Sequence, residues 1–214
     1  MQPHDEDMNP IIRNEDKISD EKCRKQTGNH YKKVFMTYLH DLVFLMAGVL
    51  LLFLLLFRVV VVSGPSMNDT LVHGDYLLLL NNVFYQNPQR GDVIVATKDS
   101  FEDGEPIIKR VIATEGQWVD IDFVKGIVYV DDVPLDEPYT KTGTNLQEGL
   151  EFPLYVEEGC VFVMGDNRNC SKDSRNPEIG LVDRREILGK VVFLVFPGSD
   201  EQHKTDFSRI GGVG

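Results

Sequence analysis

An uninterrupted apolar run, Leu42 to Phe57, is the feature that most constrains how this chain of 214 residues can fold. At about 1.5 Å per residue, a helix of this length reaches about 24 Å, slightly short of the roughly 30 Å hydrocarbon core of a bilayer. The apolar residues at 34–39 and 59–62 close the gap if Arg58 extends to the headgroup region. We therefore predict a membrane anchor over residues 34–62.

Two other interpretations of the run are weaker. A cleavable signal peptide would begin with a short basic segment, whereas here the long polar segment 1–33 comes first. A buried helix of a soluble protein is disfavoured because the unbroken apolar run is followed by four valines. Basic residues are frequent before the run and sparse after it, so we expect segment 1–33 to be cytoplasmic and the chain from Ser63 onward to be extracytoplasmic.

Charge and cysteine content limit the possible partners. The formal net charge is −12, and because segment 1–33 is balanced, the acidic excess lies in the part that follows the anchor. Such a surface excludes nucleic acid as a partner, since nucleic acid requires a basic footprint. Cys160 and Cys170 lie on the side where a disulfide is permitted, and whether they pair stays open. Their spacing matches no zinc pattern.

The part after the anchor shows short β-type runs separated by turn residues, and no long helical period. We therefore predict a mainly β domain over residues 63–197, with a small insert at about 117–160. The predicted strands lie at 75–80, 91–96, 107–114, 118–123, 160–165 and 190–196. A hairpin is predicted over 126–135 with Asp131 and Asp132 at its turn. Residues 136–153 should form a loop, and 198–214 a flexible tail.

Ser66 lies in a turn directly after the anchor, behind Gly64 and Pro65. A serine hydroxyl is a poor nucleophile until a base removes its proton, and histidine is the usual base. His73 is near in sequence, so a triad of Ser66, His73 and Asp75 is one possibility, and an ordinary loop histidine is the other. The remaining histidine of this part, His203, lies in the tail.

A lysine kept neutral by burial is the second way to activate the serine. In the stretch PIIKRVIAT, strand alternation places Ile107, Lys109 and Val111 on one face. If that face is buried, the pKa of Lys109 falls from about 10.4 by ~2–3 units, which leaves an amine able to accept a proton. If that face is wet, Lys109 is an ordinary surface charge.

The stretch MGDNRNCSKDSR, residues 164–175, is a polar turn that follows a predicted strand. Its simplest role is a turn stabilised by bonds from side chains to the backbone. In a functional role, Ser171 would hydrogen-bond and orient the lysine amine. Asp173 would then form an ion pair with Arg175 or Arg110 and hold this loop against the lysine strand.

Four segments, SGPSMNDTL, RGDVIV, IKRVIATEGQ and GDNRNCSKDSR, occur in this order after the anchor. Together they resemble the type I (leader) signal peptidases over about residues 42–197, in particular the compact single-span members of Gram-positive-type bacteria. The resemblance implies a β fold shared with the self-cleaving repressors. It also implies a serine endopeptidase that removes signal peptides from exported preproteins after small residues, at a lipid membrane, with no metal or cofactor.

The resemblance also implies residue roles. Ser66 would be the nucleophile and Lys109 the general base, with the backbone amides of Ser66 and Gly64 forming the oxyanion hole. The supporting residues would be Ser171, which assists the lysine, Gly165, which leaves room beside the amine, and the ion-pairing Asp173, Arg110 and Arg175. The substrate groove would be lined by Met67, Leu71, Ile107 and Ile108. Two departures are Asp69, where proline is usual, and Cys170, where another polar residue is frequent.

Of three alternatives to this function, the sequence excludes one and leaves two open. The self-cleaving repressors carry a DNA-binding domain, which the anchor and the acidic charge exclude here. A membrane-anchored β domain could serve binding or assembly without activity, although such a protein would be expected to lack the serine or the lysine. A hydrolase of unrelated fold could use Ser66 with His73.

Overall fold

The computed structural model describes residues 10–68, 70–101, 104–199 and 204–213. The predictions concerning Asp69 and His203 lie outside the described residues. The chain divides into two compact units, residues 1–53 and 54–214, and each is described by itself.

The described part of the first unit is helical: helix α1 has the bounds Pro10–Leu56, and its last three residues belong to the second unit. Its part Tyr31–Leu56 is long and apolar enough to cross a membrane. At about 1.5 Å per residue these 26 residues reach about 39 Å, more than the roughly 30 Å required. The helix starts well inside the predicted polar segment 1–33, so the described part of that segment is helical.

The helix stops at Leu56, six residues before the predicted end of the anchor at Val62, and Phe57–Val61 form strand β1. This strand pairs antiparallel with β2, with Phe57 opposite Leu80 and Val61 opposite Tyr76. Successive valines suit a strand better than a helix once a neighbouring strand is available to pair with them.

The second unit is mainly β, as predicted, and its strand pairs are antiparallel. In the described residues, the larger sheet has the order β1-β2-β11-β3-β4-β9-β10, with β12 on β11, and the smaller sheet has the order β7-β6-β5-β8. The strand bounds are β1 Phe57–Val61, β2 Tyr76–Asn81, β3 Val93–Ala96, β4 Ile107–Thr114, β5 Trp118–Asp122, β6 Ile127–Val130, β7 Val133–Pro134, β8 Leu154–Tyr155, β9 Cys160–Met164, β10 Val182–Asp183, β11 Ile187–Phe196 and β12 Gly211–Gly212.

The six predicted strands are present, and β4 has the predicted bounds. The hairpin of β6 and β7 turns at Asp131 and Asp132, whose φ angles of 52° and 64° are the two positive values that a type I′ turn requires. The segment predicted to be a flexible tail, 198–214, contains strand β12, Gly211–Gly212, which pairs with β11. Cys160 and Cys170 are both free thiols.

Strand β4 lies between β3 and β9 in the middle of the larger sheet. Residues on both of its faces are buried: Val111 belongs to one apolar cluster and Ile112 to another. Because β4 is covered on both faces, the charged residues within it, Lys109 and Arg110, are also removed from solvent. The fold therefore places a lysine and an arginine, adjacent in sequence, inside the domain.

Candidate active site

Ser66 is held in a turn that is bonded to the loop after β9. The backbone carbonyl of Ser66 accepts the amide of Asn167 at 3.0 Å. The side-chain amide of Asn167 donates to the Pro65 carbonyl, also at 3.0 Å. Gly64 has a φ of +85°, a conformation that glycine adopts without strain, and this lets the chain reverse before Ser66.

The Ser66 hydroxyl oxygen and the Lys109 amine nitrogen lie 2.8 Å apart. The Lys109 residue is only 5 % exposed. The face of β4 that carries Lys109 could be buried or exposed to solvent, and the structure shows that it is buried. The structure brings together the serine and the lysine that the sequence analysis singled out.

The alternative triad is not assembled. The imidazole Nδ1 of His73 accepts the backbone amide of Gly64 at 3.3 Å. The Asp75 carboxylate accepts the amides of Val72 and Gly198 instead, at 2.8 and 2.7 Å. The Gly64 amide, which is predicted to serve the oxyanion hole, therefore has an acceptor in this structure, and its role in the reaction stays a prediction.

Asp173 and Arg175 form the predicted ion pair. The guanidinium of Arg175 donates to both Asp173 carboxylate oxygens at 2.8 Å, and both side chains are buried. One of the same oxygens accepts the amide of Gly165 at 3.0 Å. The pair therefore fixes the start and the end of the loop that follows β9.

Arg110 pairs with Asp166, a residue that sequence reasoning missed, and not with Asp173. Its guanidinium donates to both Asp166 oxygens at 2.8 Å and to the Gly91 carbonyl at 2.8 Å. The Asp166 carboxylate also accepts the hydroxyl of Thr70 at 2.6 Å. Asp166 thus connects the strand of Lys109 with the segment that carries Ser66.

A further buried ion pair, between Arg168 and Glu137, was also missed. The Arg168 guanidinium donates to both Glu137 oxygens, at 2.7 and 2.6 Å. The Tyr139 ring lies 4.1 Å from the Arg110 guanidinium carbon and 5.9 Å from that of Arg168, and burial raises the pKa of its phenol. The one available signal was the alternation of acidic and basic residues in GDNR, which does not identify partners.

Gly165 and Ser171 lie against each other beside the serine. A Cβ at position 165 would overlap the Ser171 hydroxyl and the Ser66 carbonyl oxygen. Ser171 is buried, and its hydroxyl lies 3.4 Å from the Lys172 carbonyl, to which it donates. Its predicted role in orienting the lysine amine stays a prediction.

Glu148 lies beside the pair of Asp173 and Arg175, 3.8 Å from the guanidinium, with its side chain 7 % exposed. Burial, together with the negative charge of Asp173, raises the pKa of this carboxyl despite the nearby arginine. Among the described residues, no group of three or more His, Cys, Asp or Glu side chains converges in a way that could hold a metal ion.

A cleft of about 290 Å³ opens beside Ser66 and Lys109. Ile107 and Ile108 line it, as expected. Met67 and Leu71 do not line it: they are buried in the apolar core, because the turn closed by the Leu71 amide and the Met67 carbonyl directs both side chains inward. The further lining residues are Val60, Val61, Ser63, Gly64, Pro65, Val95, Phe101, Glu105, Pro106 and Lys172.

A serine hydroxyl in contact with a buried lysine amine, beside an open cleft, is the arrangement expected of a serine hydrolase that works without histidine. Comparison with known proteins is consistent with that class. The family model described as signal peptidase, peptidase S26, matches residues 35–196. The chain belongs to this family.

Individual relatives carry the same family name. The probable signal peptidase I-1 of Synechocystis is 38 % identical over 151 residues, which cover 64 % of this chain and 70 % of the relative. A signal peptidase I of Bacillus amyloliquefaciens is 32 % identical over 195 residues, or 87 % of this chain and 96 % of the relative. A crystal structure of a signal peptidase I from Enterococcus faecalis superposes with a TM-score of 0.40 at 29 % identity, covering 49 % of this chain and 97 % of that one.

Proposed function

We propose that this chain removes N-terminal signal peptides from exported preproteins, cutting after small residues, with Ser66 as nucleophile and Lys109 as general base. The observation that carries the proposal is the distance of 2.8 Å between the two reactive atoms, at a lysine that is 5 % exposed, in a chain of the signal peptidase family. No step of the proposed reaction involves a metal or an organic cofactor.

The proton transfer follows from burial. Removing an amine from water disfavours its charged form, so the burial of Lys109 favours the neutral amine that a general base requires, next to the Ser66 hydroxyl. A base whose nitrogen lies within about 2.6–3.2 Å of the oxygen that carries the proton can abstract it without an intervening water. Gly165 supports this arrangement, since any side chain there would displace the Ser171 hydroxyl and the Ser66 carbonyl oxygen.

The reaction is acyl transfer in two steps. The Ser66 oxygen bonds to the carbonyl carbon of the small residue while its proton passes to Lys109. The peptide C–N bond then breaks as Lys109 returns the proton to the leaving amine, which is the new N-terminus of the mature protein. A water molecule next attacks the ester, giving its proton to Lys109, and the signal peptide leaves with a free carboxylate while Ser66 regains its hydrogen.

The oxyanion of each tetrahedral intermediate would be stabilised by the backbone amides of Ser66 and Gly64. Loss of one such donor typically costs about 10²–10³ in rate. Because the Gly64 amide donates to the His73 imidazole in the free protein, the amide must exchange this acceptor for the oxyanion when the substrate binds.

The cleft suits an extended peptide with small side chains near the scissile bond. Strand β1 is the last strand at one side of the larger sheet, and its residues Val60 and Val61 line the cleft. A strand at such an edge can pair with an added peptide through its backbone. The volume of about 290 Å³ leaves little room for bulky side chains beside Ile107 and Ile108.

The placement in the cell is part of the same proposal. Helix α1 would cross the cell membrane once, with the N-terminus in the cytoplasm and the β unit outside. The membrane lipid and the preproteins that emerge from the export channel would be the partners. A cleavage site that lies just past the hydrophobic helix of the signal peptide would then meet a nucleophile that follows the enzyme's own anchor by a few residues.

The test is cleavage of a purified secretory precursor by the full chain in detergent. We expect Ser66→Ala and Lys109→Met to abolish cleavage, and His73→Ala to retain most of it. Full activity of Lys109→Met would exclude the lysine as the base. If the unmutated protein cleaves none of several precursors, a β domain that binds without catalysis becomes the better explanation.

A further inference from the structure

The described part of the C-terminal segment, residues 204–213, is anchored to the larger sheet. Strand β12 pairs with β11, with Gly211 opposite Leu194 and Gly212 opposite Phe193. The turn before β12 is capped by Asp206, whose carboxylate accepts the amide of Ser208 at 2.9 Å. Arg209 follows Ser208, and its own backbone amide donates to the Asp206 carbonyl at 3.2 Å. These bonds hold the backbone of Arg209 in place.

Arg209 reaches from this segment to Asp75. Its guanidinium donates to both Asp75 oxygens, at 3.0 and 2.6 Å. A third bond, of 3.2 Å, runs from the same guanidinium to the backbone carbonyl of Thr70. Asp75 is fully buried, whereas the Arg209 side chain is 22 % exposed.

Thr70 and Asp75 lie at the two ends of the last turn of the segment that carries Ser66. The Asp75 carboxylate closes this turn by accepting the Val72 amide at 2.8 Å, and the Gly74 amide donates to the Val62 carbonyl at 2.9 Å. One guanidinium therefore fixes both ends of the turn relative to the sheet.

Thr70 also links the bonds of Arg209 to the ion pair beside Lys109, the proposed base. The Thr70 hydroxyl donates to Asp166 at 2.6 Å, and Asp166 holds Arg110, the residue next to Lys109. The backbone of Thr70 is bonded by Arg209, and its side chain is bonded by the Arg110 pair. The two contacts therefore hold the serine segment at the same residue, one through its backbone and one through its side chain.

We propose that Arg209 is a positioning residue for the reaction: by pairing with Asp75 and Thr70, it holds the Ser66 turn at the distance from Lys109 that proton transfer requires. The inference rests on the proposed roles of Ser66 and Lys109. Without Arg209, the buried Asp75 carboxylate lacks the guanidinium and moves toward water, and the turn that it closes shifts with it. A misplacement of about 1 Å in a reacting group can cost about 10²-fold in rate.

The experiment compares Arg209→Ala and Arg209→Lys with a matched control, Arg185→Ala, in the full chain in detergent. Arg185 also pairs with both oxygens of one aspartate, Asp183, at 2.9 and 2.6 Å, but its side chain is 90 % exposed. We expect Arg209→Ala to lower kcat about 10- to 100-fold with KM changed by less than about twofold. Arg209→Lys should recover part of the loss, since it restores the charge but not the fork of donors. Arg185→Ala should match the unmutated protein.

The outcomes separate this inference from the proposed function. If the unmutated protein does not cleave, or if Ser66→Ala cleaves, the proposed function fails first. If the unmutated protein cleaves and Arg209→Ala has the kcat of Arg185→Ala, the inference is wrong. A rise in KM at constant kcat would also overturn it, because the effect would then lie in substrate binding. If Arg209→Ala does not fold, Arg209→Lys decides: a kcat about 3- to 10-fold below normal at an unchanged thermal midpoint supports the role, and a normal kcat refutes it.

Discussion

The ion pair of Arg110 and Asp166 provides the sharpest test of how this domain is held together. Both side chains are buried, and the pair joins the strand of Lys109 to the segment of Ser66 through Thr70. The substitution Arg110→Met removes the charge and the donors but keeps a long apolar stem. It leaves the Asp166 carboxylate inside the protein with the Thr70 hydroxyl but without its cation.

The expected loss follows from that burial. Removing one partner of a buried ion pair costs about 3–5 kcal/mol, because the other charge stays uncompensated. The bond from Thr70 to Asp166 persists and methionine fills most of the space, so the lower end, about 3 kcal/mol, is expected. For a domain of this size, 1 kcal/mol corresponds to about 2–4 °C in Tm, and the Tm should therefore fall by about 6–12 °C.

The assay is the thermal unfolding of the full chain in detergent, followed by near-ultraviolet circular dichroism at neutral pH. The matched control is Arg185→Met, which removes an arginine with the same two-oxygen contact to an aspartate, but at a side chain that is 90 % exposed. Exposed ion pairs contribute little, so this variant should unfold at nearly the temperature of the unmutated protein. A fall in Tm no larger for Arg110→Met than for the control would refute the reasoning.

Three further substitutions are predicted. Gly165→Ala should lower kcat for precursor cleavage at least about tenfold, because its Cβ would displace the Ser171 hydroxyl; a normal kcat would contradict this. Burial raises the pKa of the Glu148 carboxyl, so the folded protein favours its protonated form. The stability that this form contributes is lost as the pH rises through the raised pKa. Glu148→Gln should therefore raise the Tm at pH 8, with the gain vanishing below about pH 4, and an equal Tm at pH 8 would count against it. Asp132→Gly should stabilise the hairpin by up to about 1 kcal/mol, measured by urea unfolding, because relief of the left-handed conformation, about 1–2 kcal/mol, exceeds the entropic cost of glycine, about 0.5–1 kcal/mol; a destabilised variant would refute this.

The sequence predicted best what depends on short-range patterns. Strand β4 has the predicted bounds because its apolar residues lie between a proline and a glycine turn. The hairpin turn at Asp131 and Asp132 was predictable because aspartate tolerates positive φ better than most residues. The pair of Ser66 and Lys109 was assigned from the resemblance of four ordered segments to the type I signal peptidases, because strand alternation alone leaves open whether Lys109 is buried.

Long-range pairing could not be predicted in the same way. Whether Lys109 is buried depends on β4 having covered neighbours on both sides, and a single strand pattern does not contain that information. Arg110 and Asp166 are 56 positions apart, and several nearby acidic residues were equally plausible partners. The valines of β1 suit a membrane helix and a strand alike, and only the pairing with β2 decides between them.

The choice of buried ions at this site has a physical reason. The segment from Val62 to Asp75 lies between β1 and β2 and belongs to neither strand, so no regular backbone ladder fixes it. Apolar packing of Met67 and Leu71 supplies affinity for the core but little direction, since apolar contacts tolerate sliding. Bonds from guanidinium to carboxylate fix both distance and angle. Two such pairs, Arg110 with Asp166 and Arg209 with Asp75, meet at Thr70 and thereby restrain the serine segment where proton transfer leaves little tolerance.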